Sequence, residues 1–146
     1  MNTIAQSGRK SLWVMLSAVA VLSAGCANMG GPQNVQVTLS GGDEVPAVTT
    51  PASGFGTITI GDDKAVSGSV TTSGVVGIAA HIHDGAPGKN GPVIVPLTKS
   101  SENTWSVPAG AKITDAQYED FKAGNLYVNV HSAAHKGGEI RGQLKP

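Results

Sequence analysis

Val35-Gln36-Val37-Thr38-Leu39 alternates apolar and polar residues, the pattern of a strand with one face buried and the other wetted. The same two-residue period returns in Phe55 to Ile60 and in Ala65 to Val70, with Gly61-Asp62-Asp63-Lys64 placed as a hairpin turn between them. Further short strands are expected at Gly77 to His83, Pro92 to Leu97, Thr104 to Val107, Leu126 to His131 and Glu139 to Leu144. Gly41 to Pro46, Thr49 to Gly54 and Gly85 to Pro92 are rich in Gly, Pro, Asn and Asp and predict turns or loops. One segment breaks the pattern. From Thr114 to Gly124 the chain offers an N-cap threonine, Gln117 three places on, acids in the first turns and Gly124 as a stop, which predicts one short helix near 114–123. Seven or eight short strands, many turns and a single helix predict an all-β domain over 35–145, an antiparallel β-sandwich of Greek-key character with a barrel as its nearest variant.

Alternation also assigns faces to the histidines. In the strand from Gly77 to His83, Ile78, Ala80 and Ile82 share one side, and Ala79, His81 and His83 the other. In the strand from Leu126 to His131, Leu126, Val128 and Val130 share one side, and Tyr127, Asn129 and His131 the other. The aliphatic sides must face the core, so His81, His83 and His131 point away from it, onto the outer face of a sheet. Were the two strands neighbours, about 4.8 Å apart, the three rings would reach one ion. His135, in the loop that follows, is a candidate fourth ligand or a lid residue.

The amino-terminal 25 residues read differently. Arg9 and Lys10 precede an apolar run from Leu12 to Leu22, and Ser23-Ala24-Gly25 lead to Cys26, the one cysteine of the chain. A basic start, an apolar stretch too short for a stable membrane span and small residues before a cleavage point make an export signal over 1–25. The segment resembles a bacterial lipoprotein signal, which implies that Cys26 becomes the lipidated first residue of the mature chain. Ser23 stands where such signals commonly have leucine, and ordinary signal-peptidase cleavage is the alternative. A lipidated Cys26 leaves no thiol for a disulfide or a thiolate metal site. The expected location is therefore extracytoplasmic and membrane-anchored, in a periplasm or at a cell surface, with residues 26–34 as a Gly/Pro/Asn tether. Removing Arg9 and Lys10 from the ten basic residues leaves eight against ten acids, a formal charge of −2. That balance argues against a general nucleic-acid partner.

The residues from Val35 to about Gln143 resemble a CHRD domain, the module named after chordin. The marks are Leu39-Ser40-Gly41-Gly42-Asp43-Glu44-Val45-Pro46, then His81-Ile82-His83-Asp84-Gly85 with Gly88-Lys89-Asn90-Gly91-Pro92-Val93, then Tyr127-Val128-Asn129-Val130-His131 with Gly137-Gly138-Glu139-Ile140-Arg141-Gly142-Gln143. Lys136 stands where the family commonly has proline. The resemblance implies an exported β-domain and says little about chemistry. A narrower likeness concerns the histidines: a His-x-His strand and a later Val-x-Val-His strand on a Greek-key barrel are similar to the copper-ligand pattern of copper/zinc superoxide dismutases. By that likeness His81, His83 and His131 match copper ligands and His135 a fourth histidine, while the intramolecular disulfide and an aspartate-containing zinc subsite have no counterpart. Fold and motif do not by themselves carry activity.

Three imidazoles on a rigid sheet form a nitrogen-only donor set, which favours copper first and zinc second. Asp84, Glu139 and Arg141 are candidates to orient the rings, with turn capping and ion pairing as the plainer roles of Asp84 and Glu139. In a dismutase Arg141 would also draw a small anion to the metal; otherwise it is a surface strand residue paired with Glu139 or a carbonyl. Asp62-Asp63 supplies too few oxygens for calcium. Trp105, Tyr118, Phe121 and Tyr127 fit core or face-covering aromatics. Three functions follow from different classes: a non-enzymatic, envelope-anchored copper-binding or buffering protein, a copper-dependent dismutase-like enzyme, and a metal-free adhesion module. The missing zinc half and disulfide favour the first over the second.

Overall fold

The computed structural model describes residues 1–2 and 31–146, so the expected signal segment, Cys26 and most of the tether lie outside the described residues. Nine strands follow: β1 (Gln33–Ser40), β2 (Ser53–Ile60), β3 (Val66–Ser73), β4 (Gly77–Asp84), β5 (Val93–Pro96), β6 (Thr98–Lys99), β7 (Thr104–Ser106), β8 (Leu126–Ser132) and β9 (Ile140–Leu144). The helix α1 (Asp115–Lys122) sits between β7 and β8. Each strand except β6 covers or overlaps an expected strand run. β1 opens two residues before Val35, because Gln33 and Asn34 already pair with Ile60 and Thr59. Among the described residues no helix is long and apolar enough to cross a membrane.

The all-β antiparallel class holds, in its barrel form. The strands make one sheet in the order β5-β4-β8-β9-β1-β2-β3-β7-β6 rather than two separate layers. The expected strand from Pro92 to Leu97 is the joint. Its first part, β5, pairs with β4 at one edge, and after Leu97 it becomes β6 and pairs with β7 at the other. The Leu97 amide donates to the Ala80 carbonyl at 2.9 Å, so a single stretch of backbone draws both edges together. Closing a sheet in this way leaves little open edge for another chain to extend.

Inward residues of opposite walls meet in one core: Val35, Val37 and Leu39 of β1, Ile58 and Ile60 of β2, Ile82 of β4, Val128 and Val130 of β8, with Trp105, Ile113 and Phe121 filling the ends. Each such side chain, fully removed from water, contributes about 1.5–3 kcal/mol. Ile78 departs from the expected face. The β4–β8 register slips between Gly77 and Ala79, and the bulge leaves Ile78 57% exposed while Gly77 faces Trp105 in its place. An extra residue in one strand of a pair cannot keep both phases of the alternation, and here the larger side chain is the one turned out.

The helix is built as its sequence predicts. The Gln117 amide donates to Thr114 Oγ1 at 3.2 Å and the Thr114 amide to Gln117 Oε1 at 2.9 Å, a reciprocal cap. Gly124, at φ +74°, turns the chain out of the helix, and its amide donates to the Phe121 carbonyl. Thr114→Ala removes one half of the cap far from the histidines. It should lower the unfolding free energy by about 1 kcal/mol in urea titration and leave metal binding unchanged.

Candidate metal centre

Strands β4, β8 and β9 lie side by side, with His81 opposite Asn129, His83 opposite Tyr127 and Asn129 opposite Arg141. Side chains of one phase therefore form a single array outside the aliphatic core, as the alternation predicts. That face is nonetheless covered. All seven residues of β8 are buried, His83 is 7% exposed and His131 9%, while His81 is half-buried. Two loops close over the face: Gly85 to Pro92 above His83, and Ala133 to Gly138 above His131. A sheet with its second face capped by loops needs that face to be polar, because the loops bring backbone groups that must find partners.

The covering loops meet the imidazoles through carbonyl oxygens. His83 Nδ1 lies 2.9 Å from the Gly91 carbonyl and His131 Nδ1 2.8 Å from the Lys136 carbonyl. A carbonyl only accepts, so both rings carry their proton on Nδ1 and present a bare lone pair at Nε2. His131 Nε2 accepts from His81 Nδ1 at 2.9 Å. His83 Nε2 is buried with no hydrogen-bond partner. An unpartnered lone pair inside a protein costs free energy unless something outside the chain's own donors meets it.

The three rings converge. Centroids lie 4.8 Å apart for His81 and His131, 5.5 Å for His81 and His83 and 6.2 Å for His83 and His131. One ring nitrogen from each falls within 4.8 Å of the others, which makes these three histidines a group able to hold a metal ion. Nitrogens sharing a tetrahedral ion at about 2.05 Å stand about 3.4 Å apart, so modest side-chain adjustment brings the set to ligation distance. Burial lowers the His81 pKa, as do the neighbouring His131 and His83; burial likewise lowers that of His83, against the pull of its bond to Gly91. Both shifts favour the neutral, metal-ligating form.

His135 is not in the group. It lies in the turn after β8, where its amide donates to Ser132 Oγ and its carbonyl accepts from the amides of Ser132 and Gly138. Asp84 and Glu139 make none of the side-chain bonds to the rings. Glu139 accepts from Thr50 Oγ1 at 2.7 Å, and its pKa is lowered chiefly by a hydrogen bond from Ser132. The orienting role for which the two carboxylates were candidates belongs instead to the carbonyls of Gly91 and Lys136.

Arg141 is neither a surface residue nor a partner of Glu139. It is 1% exposed, and its guanidinium donates to the carbonyls of Lys89 (2.9 Å) and Ala86 (3.2 Å), to Gln143 Oε1 (3.0 Å) and, weakly, to Asn90 Oδ1 (3.4 Å). It lies 3.4 Å over the Tyr127 ring, whose other face stacks on His83 at 4.7 Å and 6°. The guanidinium thus holds the glycine loop and, through Tyr127, the plane of a candidate ligand. The strand phase that selected His131 also contains Tyr127 and Asn129, so their place was readable; their contacts with the loops were not.

Glu44 is the buried group that alternation could not find, since it lies in a turn. It is 5% exposed, its Oε1 has no hydrogen-bond partner, and it packs against Gly138 and Asn129. Gly138 sits at φ +131°, and a Cβ there would overlap Glu44 Oε1. Burial pushes the Glu44 carboxyl up to about 7, against the pull of the Arg141 guanidinium. A raised acid pKa means that the folded state keeps a proton the unfolded chain has already lost. This contribution is full below the ordinary value of 4.5 and disappears as pH rises through about 7. Glu44→Gln removes that slope, whereas the opposite slope from His81 and His83, lost as pH falls below their ordinary range, remains in both proteins. In urea titrations the stability of the variant relative to the parent should rise by about 1–2 kcal/mol between pH 5 and pH 8, a figure discounted for partial solvent screening.

No curated protein and no solved structure matches the chain. The family model of the CHRD domain matches residues 35–144, from the third residue of β1 to the last of β9, and the chain therefore belongs to the CHRD domain family.

Proposed function

We propose that this protein binds one transition-metal ion, copper in preference to zinc, through His81, His83 and His131, and that it does so as a lipid-anchored protein outside the cytoplasm. The observation that carries the reading is the buried, unpartnered Nε2 of His83 beside two further imidazole nitrogens within 4.8 Å. Copper is favoured because the donors are all nitrogen and affinity among divalent first-row ions peaks there. When bound, the ion supplies a redox-active centre or a simple reservoir of copper. The chain's own contribution is to favour the neutral form of His81 and His83, fix His83 and His131 by carbonyl bonds and cover the face with loops.

Binding rather than turnover is the reading the surroundings favour. Arg141 is committed to loop oxygens and to Tyr127, and so is not free to draw an anion towards the histidines. The basic start, the apolar run and Cys26 support anchoring by lipid.

Isothermal titration of the chain with Cu(II) and with Zn(II) should give close to one ion per chain. His83→Ala and His131→Ala should lose more affinity than the roughly 10- to 100-fold that loss of an outer partner costs. His135→Ala should keep the ion. Because protons compete for the same nitrogens, affinity should persist below the ordinary histidine value of 6.5 and fall at more acid pH. Loaded protein should be inert towards superoxide, and measurable turnover would overturn the non-enzymatic reading. In cells, Cys26→Ser should move the protein from the detergent phase to the aqueous phase in a temperature-induced separation; an unchanged partition would sink the lipid anchor.

A further inference from the structure

The opposite wall of the barrel carries a second feature, independent of the histidines. On β1, β2 and β3 the phase opposite to Val35, Leu39, Ile58 and Val70 faces outward, and its positions are Ser, Thr, Asn or Gln with one exception, Phe55. None is charged. The register aligns them in rows across the strands: Thr38 beside Phe55 beside Thr71, and Gln36 beside Thr57 beside Ser69. Thr104 and Ser106 of β7 continue the two rows. Charge returns at the margins, at Asp43 beyond one set of strand ends, at Asp62, Asp63, Lys64 and Lys112 beyond the other, and at Lys99 and Glu102 past β7.

The face is dished rather than flat. Between Gln36, Thr38, Phe55, Thr57, Ser69 and Thr71 lies an open depression of about 440 Å³. Its floor is Gly56, where a Cβ would overlap the Ser69 carbonyl, so β2 and β3 approach there more closely than side chains allow. Phe55 stands at the depression 68% exposed. Gln36, Thr38, Thr57 and Ser69 make none of the side-chain hydrogen bonds found among the described residues, leaving their donors and acceptors open to an incoming partner.

A surface normally mixes charges of both signs for solubility, and an exposed sheet face without any invites association. Its chemistry selects the occupant. With no cation present, the face has nothing to pair with phosphate or carboxylate, which argues against nucleic acid and acidic polymers. With one apolar side chain among hydroxyls and amides, it lacks the dry centre that a second protein copy needs. A neutral polyhydroxylated chain complements it: sugar hydroxyls exchange hydrogen bonds with the Thr, Ser and Gln rows, and the C–H face of a pyranose ring lies against an exposed aromatic ring. We infer that the outer face of β1, β2 and β3 is a binding platform for an uncharged polysaccharide, with Phe55 as its stacking residue.

Native electrophoresis of the full chain in gels containing hydroxyethyl cellulose, glucomannan, dextran or alginate tests this directly. At least one of the three neutral polymers should retard the protein, alginate should not, and added NaCl should leave the retardation intact. Phe55→Ala should weaken the apparent affinity roughly 2- to 12-fold, the change that loss of one aromatic contact brings. Thr57→Glu should abolish retardation with its circular dichroism and urea midpoint unchanged. The platform is refuted if no neutral polymer retards the protein, or if both variants migrate as the parent does. A dimer in sedimentation velocity that Phe55→Ala dissociates would assign the face to self-association and overturn the inference equally. Metal content is irrelevant to each readout, so the outcome stands apart from that of the metal titration.

Discussion

A guanidinium cannot shed its charge, so burying Arg141 obliges the chain to surround it with oxygen. The carbonyls of Lys89 and Ala86 supply that oxygen, and they belong to a glycine-rich loop with no strand pairing of its own at those residues. The loop is therefore held by the strand it covers. Hydrogen bonds to a charged group contribute about 1.5–3 kcal/mol each, enough together to order a segment that would otherwise stay open. Gln143 completes the arrangement by accepting from Arg141 and donating to the carbonyls of Gly85 and Gly124, which ties the loop to the end of α1 as well.

From that clamp the candidate centre follows by contact. Arg141 packs on Tyr127, Tyr127 stacks on His83, and the Tyr127 hydroxyl accepts from the Gly91 amide. The Gly91 carbonyl in turn accepts from His83 Nδ1. The ring is thereby fixed in plane and in tautomer, with its free nitrogen turned towards His81 and His131. The second loop does the same for His131 through Lys136. Two of the three candidate ligand rings are thereby oriented without an ion, since the outer bonds of His83 and His131 are made to backbone rather than to side chains that could swing aside.

The two walls of the barrel solve the problem of an outer face differently. Around β4, β8 and β9 the outward phase is roofed by loops, and its polar residues bond to one another and to the loop backbone but leave His83 Nε2 and Asn129 Oδ1 without a partner. Around β1, β2 and β3 no loop among the described residues lines the depression, and short uncharged side chains meet the surroundings there. Near-complete closure through Leu97 makes this contrast possible, because a sheet curled until little edge is left open presents two separate outer walls.

Strand period alone determined much of this protein: where most of the strands lie, that Ile82 and Val128 point inward, and that His81, His83 and His131 share one outward phase. The helix and its reciprocal cap were equally local, since Thr114 and Gln117 are three residues apart. Three things only the tertiary structure decided. The bulge at Gly77 that turns Ile78 outward arises from pairing with β8, where Gly77 meets Ser132 and Ala79 meets His131, far along the chain. Arg141 was given an exposed place because alternation tells one face from the other and cannot say what lies over it. Glu44 and the carbonyls of Gly91 and Lys136 sit in turns, where no period exists to read, and their contacts come from distant segments folding onto the sheet. Local sequence fixes which way a side chain points; what it meets there depends on long-range closure.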